Sequence, residues 1–411
     1  MTIEDLHSPA SGAPGKQAGC PFNHTDYTAD GPMGSHYDLL NADREASRFQ
    51  FNDTTDRGFW MLTRYDDVLE GFQRAEDFTT NVTSALNPSR TVDLLPQHLH
   101  GAPHIAMRRV INPYFAPAAV RRLEEAATKR CIELIEELAP KGGCDFVSEF
   151  AIRYPTDMFL HLLGLPLEDG EFFLPWVDKV FDGFFGGSKE EAKAAGDQIM
   201  DYFDKAVADR RKNPKDPKED LVSRLIEATI DDQPIPHEDI LTVCMTLMLA
   251  GLDTTRSALG YIFTHLAEHD DHRQELVEDP SLIPASLEEF IRLYPLVIQG
   301  GREVAQDTEF DDLEMSKGDV VWLGIGSANR DPRKFPDPDE YILGRTGVNQ
   351  HLGFGAGAHR CLGMHLARLE LQVVLREWHA RIPNYRVAPD SELTERGGQL
   401  SLLSLPLQWD V

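Results

Sequence analysis

Residues 352–363 read Leu352-Gly353-Phe354-Gly355-Ala356-Gly357-Ala358-His359-Arg360-Cys361-Leu362-Gly363, and a helical pattern then runs to Arg381 before Pro383 stops it. Glycines spaced this closely make a tight loop that opens a helix. A cysteine at that junction lies where the helix dipole and unpaired backbone N–H groups favour negative charge, and His359 and Arg360 add to the same field. Cys361 is therefore expected to be a thiolate. A loop of this shape can also cradle phosphate, but there a Lys-Ser/Thr pair follows the last glycine and a long strand precedes the loop, and both are missing here.

Outward from the loop, helical periodicity dominates. Apolar residues recur at three- and four-residue spacing over 118–138, 190–211, His237–Glu268, 284–293 and 363–381. Strand-like runs are short and lie towards the two ends of the chain, at Phe59–Leu62 and 319–323. The charged, proline-containing stretch 212–220 reads as a loop between helices rather than a domain linker. These patterns predict a mainly α fold with a small β portion, one domain over residues 31–411 after a flexible arm over 1–30.

Lys plus Arg number 40 against 68 Asp plus Glu, a formal charge of −28. Nucleic acid and anionic membrane surfaces repel such a chain at long range. The most apolar helical stretch, 240–252, has 13 residues before Asp253, short of the about 20 a membrane span needs. The N-terminus carries no apolar run after a basic stretch, and the five cysteines are an odd number without a Cys-x-x-Cys pair. A cytoplasmic protein with free thiols is expected.

One local rule is broken inside the longest helical segment. Gly251 in a helix interior costs about 1 kcal/mol relative to Ala, and Asp253-Thr254-Thr255 places polar groups directly after an apolar run. The apolar pattern resumes at Leu259, Tyr261 and Ile262, so the polar group lies between two buried stretches instead of at a helix end.

Phe354-Gly355-x-Gly357-x-His359-x-Cys361-x-Gly363, followed by Leu366-Ala367-Arg368, resembles the haem-binding signature of the cytochrome P450 family. The likeness extends over nearly the whole chain after residue 35. It implies a triangular helical prism around haem b, with Cys361 as the proximal iron ligand and Phe354 and Gly355 in the cofactor loop. A thiolate pushes electron density onto iron and favours O–O cleavage. Ala250-Gly251-Leu252-Asp253-Thr254-Thr255 is similar to the family's acid–alcohol element. On that likeness Gly251 leaves room for O2 where the helix hydrogen bonding loosens, Thr254 holds oxygen or its water, and Asp253 relays protons.

Glu289 and Arg292, spaced i, i+3 on one helix face, resemble the family's Glu-x-x-Arg pair. The stretch Asn329-Arg330-Asp331-Pro332 to Pro338 resembles its meander, and Arg345 is the implied third, structural partner. His104 and Arg108, spaced i, i+4, are similar to the family's His-x-x-x-Arg, and with Arg302 and His359 they are the implied partners of the haem propionates. Gly101-Ala102-Pro103 departs from the Asp-Pro-Pro usual before that histidine, so this helix is expected to start differently.

Glu377-Trp378 to Pro383 and Leu405-Pro406-Leu407-x-Trp409 resemble the camphor-hydroxylating bacterial branch. By position in that family the substrate pocket is lined by Val92, Leu94, Leu95, Thr246, Leu249, Ala250, Val297, Ile298 and Leu402. Phe184 and Phe185, before Gly186-Gly187, would contact substrate from a lid. The set is mostly apolar, so a non-polar substrate is expected, and the resemblance implies a small, terpenoid-like one hydroxylated with O2. A ferredoxin with its reductase would supply electrons, docking on Arg109, Arg121, Arg122, Lys129, Arg130 and Arg360. Steroid, aromatic or fatty-acid substrates, peroxide-driven chemistry and a haem-thiolate sensor without turnover stand as alternatives. Two histidine groups, His98/His100/His104 and His265/His269/His272, lack a metalloenzyme spacing and stay unassigned.

Overall fold

The computed structural model describes residues 20–88, 92–184 and 187–411, with the backbone alone of Phe184. The helices that position the site are α1 (Tyr65–Gln73), α2 (Gly101–Phe115), α3 (Glu124–Leu138), α4 (Gly170–Phe184), α5 (Lys189–Lys212), α6 (His237–Glu268), α7 (Asp270–Glu278), α8 (Ile283–Leu293) and α9 (Met364–Arg381). Their limits follow local chemistry. Ser188 caps α5 by accepting from the Glu191 N–H at 3.2 Å, a contact whose loss typically costs about 1 kcal/mol. Glu238 and Asp239 occupy the first turn of α6, where the dipole favours them.

The predicted continuous helix over 118–138 is two pieces, Pro117–Arg121 and α3. Pro117 suits the first turn of the short piece, and Arg122 and Leu123 form the joint. Helix α2 starts at Gly101, whose φ of +55° favours glycine. The stretch 212–220 does connect α5 to a helix, Leu221–Glu227.

Strands from both ends of the chain meet in one sheet: β1 (Phe22–Asn23), β2 (Phe49–Asn52), β3 (Phe59–Leu62), β4 (Phe78–Thr79), β5 (Gly300–Val304) and β6 (Val320–Leu323), in the order β1-β2-β3-β6-β5-β4. Every residue of β3 and β6 is buried, as their uninterrupted apolar runs require. Val321 faces Trp60 across the parallel β3–β6 pair and Arg302 across the antiparallel β6–β5 pair, which fixes Arg302 in the sheet interior.

Of the arm expected over residues 1–30, residues 1–19 lie outside the described residues, and residues 20–30 pack on the body. Phe22 and Asn23 pair with Phe51 and Asn52, and Tyr27 is wholly buried against Trp322. The ordered body therefore includes residues 20–30, because a two-residue strand and one aromatic anchor suffice to tie them down.

Helix α6, about 48 Å long at 1.5 Å per residue, threads the interior. Ile240 to Leu252 belong to one apolar cluster, and Leu259 to Ala267 belong to another. Asp253, Thr254 and Thr255 sit between the two clusters. Among the described residues, no helix is long and apolar enough to cross a membrane.

Candidate active site

The cysteine loop is seated by its backbone. The Cys361 N–H donates to the Phe354 carbonyl at 2.9 Å. Gly357 has φ +68°, and a Cβ there would stand 2.2 Å from the Phe72 carbonyl at the end of α1. Only glycine lets the loop approach so closely. From α9, Arg368 lies over the Phe354 ring at 4.6 Å and forks onto Glu288 at 2.6 and 2.8 Å. Burial pushes the Glu288 carboxyl up, but Arg368 and His351 outweigh it and hold the group at about 2.

Glu289, Arg292 and Arg345 meet as the family resemblance implied. Glu289 takes Arg292 Nε and Nη2 at 2.8 Å each and Arg345 Nε at 2.8 Å, with Glu289 and Arg292 wholly buried. The remaining guanidinium donors go to the carbonyls of Asn329, Pro336, Asp337, Pro338 and Glu340. One carboxylate thus fastens α8 to the irregular stretch that leads into the cysteine loop.

Cys361 opens onto a cavity of about 440 Å³ that also receives His104, Arg108, Arg302, His359, Phe354 and Gly355. The thiol is surrounded by protein and exposed only towards that cavity. Burial pushes it up, against the pull of the Gly363 N–H and of Arg108, Arg368 and Arg360. A cation bound at Sγ would favour the thiolate further.

Among the described residues, the basic groups beside Cys361 have no carboxylate paired with them. The His104 and His359 rings stack at 4.0 Å. Burial, reinforced by neighbouring cations, pushes them down to about 4 and about 3 respectively. Arg108 donates to the Arg360 carbonyl at 3.2 Å, and burial lowers it. Arg302 is buried, pushed down to about 10 by burial, and among the described residues meets the Gly301 carbonyl at 2.7 Å and the Phe72 ring face at 5.0 Å. A set like this is a socket for a ligand with two negative groups.

Across the cavity from the loop runs α6. Thr254 lines the cavity, its Oγ1 donating to the Ala250 carbonyl at 2.9 Å, and the helix is continuous through Gly251. The expected loosening at Gly251 is thus absent, since its backbone turn and the Thr254 hydroxyl keep the helix bonded. Asp253 does not line the cavity. It is wholly buried on another face, accepting from Arg256 and Arg396 on Oδ1 and from Gln399 on Oδ2. Those arginines also reach Asp178 at 3.1 Å and Asp182 at 3.4 Å on α4. Gln399 touches both Asp253 and the cavity.

Of the expected pocket residues, Leu94, Thr246, Leu249, Ala250 and Val297 line the cavity, and Val92, Leu95, Ile298 and Leu402 do not. Val92 and Leu95 pack on the apolar cluster beside α5, where Val92 lies against Gly196. Ile298 points the other way from Val297, against Gly326, and Leu402 packs on Gly260 of α6. The terminal hairpin contributes Gly398 and Gln399 instead. Phe185 lies outside the described residues, as do the Phe184 side chain and Gly186 of the expected lid. Phe181 on α4 and Phe159 do reach the cavity, while Phe173 of the same aromatic stretch is core.

Glu370 and Gln399 are wall residues that no motif pointed to. Glu370 is a lone acid on the buried face of α9 whose carboxyl burial pushes to about 8, with Thr255 as partner. A charged residue on an apolar helix stripe was the available signal.

The expected basic face is thinner than the sequence suggests. Arg130 pairs with Asp157 at 2.7 Å and with Glu133 at 3.1 Å, and Lys129 approaches Glu133 at 3.9 Å. Arg109, Arg121, Arg122 and Arg360 are exposed, and Ile105, one turn before Arg109, is 49% exposed.

A family model described as Cytochrome P450 matches residues 171–408. The probable cytochrome P450 127A1 of Sinorhizobium fredii is 32% identical over 358 residues, covering 86% of this chain and 84% of that protein. The mycinamicin IV hydroxylase/epoxidase of Micromonospora griseorubida is 31% identical over 363 residues, covering 85% of this chain and 89% of that protein. The crystal structure of CYP101J2 superimposes with a TM-score of 0.86 at 30% identity, covering 95% of this chain and 97% of that one.

Proposed function

The chain belongs to the cytochrome P450 family of haem-thiolate monooxygenases, and on that premise we propose that it hydroxylates a small hydrophobic, terpenoid-like molecule with electrons from a ferredoxin and its reductase. The balance is R–H, O2, two electrons and two protons giving R–OH and water. The family's cofactor, haem b, supplies the activation of O2 when bound. The residues present fit it. Cys361 would give the iron its thiolate, His104, Arg108, Arg302 and His359 would take the propionates, and Phe354 and Gly355 would shape the floor. The observation that carries this reading is that thiol, uncompensated cations and the Thr254 hydroxyl all face one cavity.

The chain's own residues then have separable tasks. Leu94, Leu249, Ala250 and Val297 with Phe159 and Phe181 hold an apolar substrate and exclude water. Thr254 Oγ1 accepts a hydrogen bond from a water or oxygen species while its proton stays on the Ala250 carbonyl. Asp253 is the proton source behind it, and Gln399, which touches both acid and cavity, connects the two. Arg256 and Arg396 hold the Asp253 carboxyl on Oδ1, so its relay of a proton requires an exchange of those partners. Exposed Arg109, Arg121, Arg122 and Arg360 around Ile105 offer the ferredoxin a cationic rim with an apolar centre.

The test is an optical titration of the ferric protein with monoterpenoids, sesquiterpenoids, steroids, aromatics and fatty acids. A low-to-high-spin shift of the Soret band with terpenoids is expected, because a fitting apolar ligand displaces water from iron. A shift with another class alone overturns the terpenoid assignment. Reduction by ferredoxin should slow as salt rises, and a rate indifferent to ionic strength overturns the cationic docking face.

A further inference from the structure

Helix α6 ends at Glu268 and α7 begins at Asp270, and the residue between them, His269, leaves helical geometry at φ −122°, ψ 86°. On one unbroken helix His265 and His272 would be about 10 Å apart along the axis. The break instead brings His272 Nδ1 to 2.9 Å from His265 Nε2. The rings of His265, His269 and His272 stack at centroid distances of 4.3, 5.1 and 5.2 Å, all within 14° of parallel. One ring nitrogen from each lies within 4.8 Å of the other two, and no other group of this kind occurs among the described residues.

Two of the nitrogens pointing away from that centre are hydrogen-bonded, and the third lies near a carboxylate. His269 Nδ1 meets the His265 carbonyl at 2.9 Å. A carbonyl only accepts, so Nδ1 carries the proton and Nε2 keeps a lone pair. His265 Nδ1 is held by the Tyr294 hydroxyl at 2.8 Å, and His272 Nε2 lies 3.9 Å from the Asp271 carboxylate. Outer contacts to carbonyl, phenol and carboxylate are those that orient imidazoles as metal ligands. The Tyr341 ring packs on His272 at 4.5 Å and restrains it from the side.

We propose that His265 Nε2, His269 Nε2 and His272 Nδ1 bind one divalent transition-metal ion of the zinc class, with water in a fourth position. Three imidazoles with no thiolate or carboxylate in the set suit zinc, copper or nickel rather than calcium or magnesium. Tetrahedral bonds of about 2.0–2.1 Å put the ligand nitrogens about 3.3 Å apart, so binding requires the rings to turn out of their parallel stack until three lone pairs meet at one ion. The site is distant in role from oxygen chemistry: it cross-links the end of α6 to α7.

The experiment is calorimetric titration of the untagged, chelator-treated holoenzyme with zinc chloride in metal-free buffer, beside His269→Gln and His272→Gln. One saturable equivalent is expected in the parent, weakened by about a hundredfold or more in each variant. Zinc should raise the unfolding temperature of the parent and leave both variants unmoved. His269 is exposed, so its replacement leaves the fold standing, which the unshifted Soret band of the variant verifies. No saturable zinc site in the parent, or one of equal strength in the variants, overturns the proposal.

Discussion

Behind the cysteine loop polar groups are matched donor to acceptor: Glu289 takes three arginine nitrogens, the other guanidinium donors of Arg292 and Arg345 find carbonyls, and the Cys361 N–H has Phe354. Across the cavity the wall is assembled from α6, the segment around Leu94, Phe159, Phe181 of α4, Val297 and the hairpin at Gln399, and few of these residues touch one another through polar bonds. The first region is held by short contiguous stretches whose geometry is written in glycines and charges. The second exists only once distant segments have packed. Chemistry common to many substrates belongs to the rigid side, and selectivity belongs to the assembled side, where apolar side chains exchange at modest cost.

The comparison breaks most sharply at Cys361. Cys361→Ser should lose all detectable turnover and the thiolate-type band of the reduced carbonyl complex while keeping its helical content; a variant that still hydroxylates removes the assignment. Next is Glu289→Ala, which leaves two buried guanidinium groups unpaired and should cost about 3–5 kcal/mol in denaturant unfolding. A loss below about 1 kcal/mol, the worth of an exposed pair, contradicts the matched-polar account. On α6, Asp253→Asn should slow turnover about 10²-fold with an enlarged solvent isotope effect. Thr254→Ala should keep substrate affinity but divert reducing equivalents into peroxide, and unchanged product per NAD(P)H would remove that role.

Within the assembled wall, Leu249→Ala should weaken the spin-shift affinity about tenfold or more. Leu402→Ala should cost about 2–5 kcal/mol of stability with affinity unchanged; the reverse result would restore Leu402 to the pocket. The smallest effect is a slope. The Glu370 carboxyl sits at about 8 against an ordinary value of 4.5, so its contribution to stability is fully present below pH 4.5 and lost as pH rises to about 8. Glu370→Gln should flatten stability across that window by at most about 1.4 kcal/mol per pH unit, and an unchanged slope places the ionisation elsewhere.

How much was legible follows the same division. The cysteine loop, the Glu289–Arg292 and His104–Arg108 pairs and the full extent of α6 stand in the sequence as local spacing, because each is fixed by backbone geometry or by a helix period, whereas Arg302, Arg345 and His359 were placed by the family resemblance. Ile298 and Leu402 were misplaced because one residue of register turns a side chain from cavity to core. Asp253 and Thr254 are chain neighbours, yet a step of about 100° around a helix sends one to the cavity and the other to Arg256, Arg396 and Gln399. Lys129 and Arg130 read as free cations until Glu133 and Asp157 folded against them.

Arg302 bears on the life of the chain as well as on its chemistry. A cation interred on β5 beside a carbonyl and a phenylalanine face would, if it takes a haem carboxylate as proposed, weaken the fold until that partner arrives. The newly made chain would then be the fragile form, and filling the socket would lengthen its survival by mass action. A cell short of cofactor would clear the unloaded molecules first. Abundance of the enzyme would then track its cofactor supply without a dedicated regulator, metered by one arginine.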